Sequence, residues 1–146
     1  MMSAPIISII SAEPAHIERF HATLDTVARE GLYLASTEAK PVEDVRAFVL
    51  GSIEKRNPIF FAMDGRNLVG WCDITRSSND MSGHAGHLGM GVLPDYRGQG
   101  IGTALIEAAL AAAKAGNIPR VELTVYASNA AAIGLYRKTG FADEGR

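Results

Sequence analysis

The apolar positions change period several times along the chain. Ile6 to Ile10 is a short β-rich run, after which Glu13-Pro14 opens a pattern that puts Ile17, Phe20, Leu24 and Val27 on one helical face, ended by Gly31. A second helical pattern starts near Pro41, a residue suited to a first turn, carries Val45, Phe48, Val49 and Ile53, and stops at Asn57-Pro58. Ile59 to Met63 and Leu68 to Thr75 then read as strands around Asp64-Gly65-Arg66-Asn67, a hairpin-turn composition. A polar loop from Arg76 to Gly83 returns the chain as a third strand ending at Val92, which makes an antiparallel meander. An Ala/Leu-rich helix from about Thr103 to Ala115 follows, stopped by Gly116 and Pro119, and Val121 to Tyr126 alternates as a further strand. Strand, helix and strand in that order imply a right-handed parallel crossover. The expected fold class is α/β: a mixed, mostly antiparallel sheet with one parallel β-α-β unit.

The junction into the third helix carries the most specific chemistry. Arg97-Gly98-Gln99-Gly100-Ile101-Gly102 joins a strand to a helix start, where unpaired N–H groups and the positive end of the helix dipole favour an anion. Glycines at 98, 100 and 102 remove side chains where a ligand would approach the backbone. An arginine beside a helix start is electrostatically disfavoured unless paired, so Arg97 is expected to add a charge-assisted contact to that anion. Two familiar phosphate loops fail letter by letter. The chain has no Gly-Lys pair, as a P-loop requires, and the sixth position from Gly98 is Thr103 and from Gly100 is Leu105, where a dinucleotide fingerprint needs glycine.

The stretch does fit R-x-x-G-x-G after a strand, and it is followed by Asn129-Ala130-Ala131-Ala132-Ile133-Gly134-Leu135-Tyr136, which leads to Gly140-Phe141. With these two motifs in this order the sequence resembles the GNAT superfamily of acyl-CoA-dependent N-acyltransferases, well over residues 58 to 146 and loosely before them. The resemblance implies acetyl-CoA as co-substrate, with its pantetheine arm on Met90, Gly91 and Val92 in a gap between two splayed parallel strands. It assigns the pyrophosphate to backbone N–H groups of Gly98, Gln99, Gly100, Ile101, Gly102 and Thr103, with Arg97 at the family's R/Q position. It gives Asn129 a bond to the cofactor, and it makes Tyr136 the general acid that protonates the departing thiolate. On one helix Asn129 and Tyr136 would share a face ~10 Å apart, and a phenol of ordinary pKa about 10 is protonated at neutral pH. Glycines at 89 and 91 fit a bulge or a close ligand approach better than a plain ladder, and Gly134 implies close packing against its helix.

Composition narrows the class. A chain of 146 residues, 47% hydrophobic and 21% charged, suits a single globular domain. A formal charge of −2 gives no electrostatic footprint for nucleic acid or an anionic membrane. The lone Cys72 cannot form an intramolecular disulfide and reads as a buried thiol. Met1 to Ala12 lacks the basic start of a signal peptide, and Ser8 and Ser11 interrupt its apolar run, so the expected compartment is the cytoplasm. Four histidines and one cysteine make no convincing metal set, and the expected chemistry requires no metal.

The general base is left open among Glu122, Tyr126, His84, His87, Glu38 and Asp73. Relatives that acetylate protein N-termini often carry glutamate where this chain has Thr124, which points away from that activity. Gly70-Trp71 and the ending from Phe141 are similar to the phosphinothricin-type branch, which acetylates free amino acids and related small amines. The expected acceptor is therefore a small-molecule primary amine. The chain stops five residues after Phe141, short of the last C-terminal strand or strands of relatives, and a homodimer partner is one way to complete the acceptor wall. A non-catalytic acyl-CoA-binding regulatory module and a protein N-terminal or lysine acetyltransferase stay as alternatives.

Overall fold

A five-stranded sheet in chain order organises the fold of the computed structural model, which describes residues 6–30, 38–76, 85–123 and 130–141. Strands β1 (Ile7–Ser11), β2 (Ile59–Asp64), β3 (Asn67–Arg76) and β4 (Ala85–Val92) pair antiparallel, and β5 (Arg120–Glu122) adds in parallel to β4. Helices α1 (Ile17–Arg29) and α2 (Val42–Glu54) cover one face, and α3 (Ile101–Ala115) covers the other, with α4 (Ala130–Lys138) following β5. The mixed, mostly antiparallel sheet with its parallel crossover is the class the hydrophobic pattern predicts. Among the described residues no helix is long and apolar enough to cross a membrane.

Two cores follow from the alternation of the strands. Ile59, Phe61, Met63 and Trp71 meet Ile17, Phe20 and Val27 of α1 and Val45 and Val49 of α2. Cys72, Ile74, Leu88 and Val92 meet Ile101, Leu105, Ile106 and Ala109 of α3. A hairpin joins β2 to β3 through Gly65 (φ +61) and Arg66, the positive φ standing at the first central position as a II′-class turn requires.

Several local expectations change. On α2 the buried stripe is Val45, Val49 and Ser52, while Phe48 and Ile53 are 37% and 39% exposed, because the helix aims its 45/49/52 row at the sheet. Asn117 (φ +63), not Gly116, takes the left-handed position after α3. Gly116 instead leaves room for Arg76, whose Nη2 donates to the Gly116 carbonyl at 2.8 Å. The β3–β4 register runs unbroken from Gly70↔Val92 to Arg76↔Gly86, so there is no bulge at Gly89 or Gly91. The irregularity lies between Ala62 and Met63 on β2. Gly91 has a packing reason: a Cβ there would stand 2.3 Å from the Trp71 ring. The Gly31 stop, the Val121–Tyr126 strand beyond Leu123 and the ending after Phe141 lie outside the described residues.

Candidate active site

The site begins at the C-terminal half of β4, beyond its pairing with β5 among the described residues. β5 pairs with β4 only from Ala85↔Arg120 to His87↔Glu122, so the rest of β4 has no parallel partner among the described residues. Strand geometry tells which groups face the β5 side. Leu93 N–H donates to the Val69 carbonyl, and Ile74 N–H turns away from β4 to Pro58. By the alternation of an antiparallel ladder, Gly89 and Gly91 therefore bond to β3, whereas Leu88, Met90 and Val92 direct their N–H and C=O groups outward. Of the three residues the resemblance assigns to pantetheine, Met90 presents its N–H and C=O to the gap and Val92 its N–H, the Val92 carbonyl accepting from Arg97 Nε. Gly91 contributes the space that Trp71 fills.

At the C-terminal end of β4 the chain turns through Pro94–Tyr96 into the glycine loop. Gly98 (φ +76) and Gly100 (φ +83) are both left-handed, and nothing lies within 4 Å of a Cβ built on either. These glycines are required by backbone conformation. Gly100 is the N-cap of α3 and no side chain caps the helix, so the N–H groups of Ile101, Gly102 and Thr103 point outward from its first turn without a side-chain acceptor. Gln99 folds back, its side-chain amide donating to the Asp95 carbonyl at 3.2 Å. Gly102 serves packing: a Cβ would come within 3.1 Å of Leu135 and 3.3 Å of Met90, so its absence draws α4 and the Met90 side chain onto α3.

Arg97 is placed differently from the sequence expectation. Its Nη1 and Nη2 donate to the two carboxylate oxygens of Glu30 at 3.0 and 2.5 Å, and its Nε donates to the Val92 carbonyl at 2.9 Å. The guanidinium thus ties the end of α1 to the end of β4 through a bidentate pair. An arginine paired in this way no longer argues for an anion, and sequence alone gave no sign that Glu30 would meet it.

Tyr136 lies on α4, partly buried against the α3-side core, with Phe141 edge-on at 5.9 Å between ring centroids. Burial pushes its phenol up to about 12, and the nearby Cys72 thiol adds to the rise. Cys72 pairs across the ladder with Met90, so the phenol stands over the sheet at the level of the C-terminal half of β4. Asn129 lies outside the described residues. Gly134 has nothing within 4 Å of a built Cβ, so close packing is not its role.

The opposite face holds a cleft of about 400 Å³ between α1, α2 and the strands, reaching Gly89 and Met90. Asp73 and Glu38, two of the base candidates, both line it; Lys40, Asp44 and Phe48, which sequence reasoning passed over, line it too. Phe48 gave no signal of this, since Val45, Phe48 and Val49 share one helical face in the sequence and only the structure turns Phe48 off the buried stripe. Burial lifts the Asp73 carboxyl from 3.8 to about 7, against a partly opposing hydrogen bond from the Trp71 side chain. Of the other candidates, His87 is exposed on β4, Glu122 is exposed and paired with Arg120 at 2.7 Å, and His84 and Tyr126 lie outside the described residues. A larger hollow of about 760 Å³ sits at the far end of α3 beside Lys114, Thr139 and Phe141, away from the cradle.

Comparison with known proteins agrees with this geometry. An acetyltransferase of Pectobacterium atrosepticum is 42% identical over 62 residues, 40% of this chain and 44% of that protein. The chain thus spans under half the length of that curated relative. A GNAT-family acetyltransferase structure from Streptococcus pneumoniae superposes with a TM-score of 0.88 at 28% identity, covering 96% of this chain and 86% of that one. A phosphinothricin acetyltransferase from Sinorhizobium meliloti, in complex with AcCoA, superposes at 0.87 with 17% identity over 95% of this chain and 76% of that one, a likeness of fold alone. The family model for acetyltransferases of the GNAT type matches residues 23–141, a span that runs from α1 through the glycine cradle to the end of α4. On that match, and on a mixed sheet that leads into such a cradle, the chain belongs to the GNAT acetyltransferase family.

Proposed function

We propose that this chain moves an acetyl group from acetyl-CoA to the primary amine of a small molecule by direct attack, with both substrates bound together. The observation that supports it most is the left-handed glycine cradle at the end of β4, with a phenol over one face of the sheet and a carboxylate-lined cleft on the other. Acetyl-CoA, the co-substrate, supplies the acyl thioester.

The residues present suit that donor. Gly98 and Gly100 hold the loop open in left-handed conformations, and the uncapped first turn of α3 offers N–H groups and dipole to a pyrophosphate. Met90 and Val92 offer backbone groups along the gap, and a donor N–H there is suited to the charge that develops on the thioester oxygen. Tyr136 keeps its proton at any working pH. With its phenol near 12 and an ordinary thiol near 8.5, passing its proton to the departing sulfur is uphill, so Tyr136 acts first as a hydrogen-bond donor to the thiolate and the transfer is completed by its reprotonation from solvent.

The test is CoA release, followed with a thiol reagent over a panel of amines, amino acids and peptides. Amine-dependent release is expected. Binding of acetyl-CoA without release on any acceptor would overturn the reading in favour of a regulatory acyl-CoA-binding module, and release with peptides alone would move the acceptor to proteins. With an acceptor in hand, Tyr136→Phe lowers kcat by about 10²-fold while the Kd for acetyl-CoA stays within twofold. Unchanged turnover would remove Tyr136 from its role.

A further inference from the structure

The cleft facing α1 and α2 has a chemistry of its own. α1 lends Phe20, Leu24 and Ala28, and none of these ionises. α2 adds Val45 and Phe48 to the apolar wall and Asp44 to its rim, and the segment before it brings Glu38 and Lys40. From β4 come only Gly89 and Met90. Trp71 forms one wall, and next to it on β3 stands Asp73, with adjacent Cys72 belonging to the other face and held neutral by its burial.

Asp73 is reached through a missing side chain. A Cβ at residue 89 would lie 3.3 Å and 3.6 Å from its two carboxylate oxygens, so Gly89 leaves them uncovered on the β4 side. β4 is also the strand whose outward backbone groups face the gap, and Met90, next in sequence, lines both cleft and gap. A group seated at Asp73 is thus beside the place where the thioester would lie. Among the described residues Glu38 and Asp44, with Asp73 once it ionises, outweigh the Lys40 ammonium, which favours a cation. The phenyl, indole and aliphatic walls select for an apolar body.

We propose that this cleft binds an amine borne on an apolar aryl or alkyl group without a carboxylate, its nitrogen at Asp73, and that Asp73 accepts the proton the nitrogen loses. The inference rests on the acetyl-transfer reading and narrows its acceptor. In the step, the lone pair of the neutral amine forms the N–C bond to the thioester carbonyl carbon and the C–S bond breaks. One N–H proton passes to the Asp73 carboxylate and the sulfur takes the Tyr136 proton. Asp73 then returns its proton to solvent and Tyr136 regains one, so the sum is amine plus thioester to amide plus thiol. Lying against apolar walls, the carboxyl has an affinity for protons matched to neutral pH, as a base in this position needs.

The experiment compares 2-phenylethylamine, ethylamine and phenylalanine as acceptors for the full chain. The first is expected to exceed each of the others at least tenfold in kcat/KM. The wild-type pH profile of log kcat/KM should break near pH 7. In Asp73→Asn the rate falls about 10²-fold at pH 7.5 and that break disappears, while the Kd for acetyl-CoA is kept. Phe48→Ala, a change at a 37% exposed position, reduces the preference for phenylethylamine over ethylamine about fivefold and keeps the break, so the cleft is tested even if Asp73→Asn does not fold. Acetyl transfer with an Asp73→Asn rate and pH profile like wild type overturns the inference and leaves the proposed function standing. A preference for phenylalanine overturns the acceptor class. Transfer to no amine at all overturns both.

Discussion

The two sides of the C-terminal half of β4 are built by different means. On the proposed donor side, the loop from Arg97 and the first turn of α3 are contiguous in sequence, and their shape comes from backbone conformation, with Gly98 and Gly100 at positive φ and an uncapped helix start. On the proposed acceptor side, α1, the segment at 38–40, α2, β3 and β4 each contribute one or more residues to one cleft. The donor side is suited to an invariant ligand and tolerates little change. The acceptor side is a set of side chains on stable elements, each replaceable without rebuilding the backbone. The Arg97–Glu30 pair is where the two meet, since it fastens the α1 end to the strand that leads into the cradle.

This contrast can be broken at three points beyond the activity tests above. The largest effect belongs to Gly100→Val, which places a β-branched residue at φ +83. Affinity for CoA should fall at least thirtyfold by isothermal titration, because the cradle must distort before it binds. A loss under threefold would mean that the cradle is not set by this backbone.

Next is Arg97→Gln, which leaves Glu30 unpaired at a half-buried site. Thermal denaturation should show a loss on the order of 1–2 kcal/mol, discounted from a fully buried pair for solvent screening, with the Kd for CoA changed less than threefold. A tenfold loss in CoA affinity at constant Tm would instead make Arg97 a direct ligand contact.

A third effect sharpens the proposed acceptor side. Asp73 has its folded-state pKa raised from 3.8 to about 7, so the stability its neutral form allows is present below 3.8 and lost as pH rises through 7. Asp73→Asn keeps a neutral group at every pH. Its stability should match wild type near pH 4 and exceed it above pH 7 by a few kcal/mol, a difference absent if the carboxyl is solvated in the folded chain.

Much of the donor side was legible in the sequence because its signals are local. Glycines at 98 and 100 mark left-handed conformations that other residues resist, and strand-helix-strand order fixes a parallel crossover. Other readings failed where partners lie far apart in the chain. Glycine at 91 predicts a bulge, yet the ladder is regular there and the missing Cβ makes room for Trp71 on the neighbouring strand, as that of Gly102 does for Met90 and Leu135. Arg97 looked like an anion contact because its partner stands 67 residues earlier. Among six candidate bases, only the tertiary fold brought Asp73 and Glu38 into one cleft and placed His87 and Glu122 at the surface.

The sequence by itself determined the order of elements, the mixed sheet and the backbone shape of the cradle, because these depend on hydrophobic period and on what φ each residue allows. Only the tertiary structure decided which side chains share the cleft, which way Arg97 turns and how far burial lifts Asp73 and Tyr136. Those outcomes depend on strand register and helix packing, which bring together residues whose spacing in the chain carries no trace of their contact.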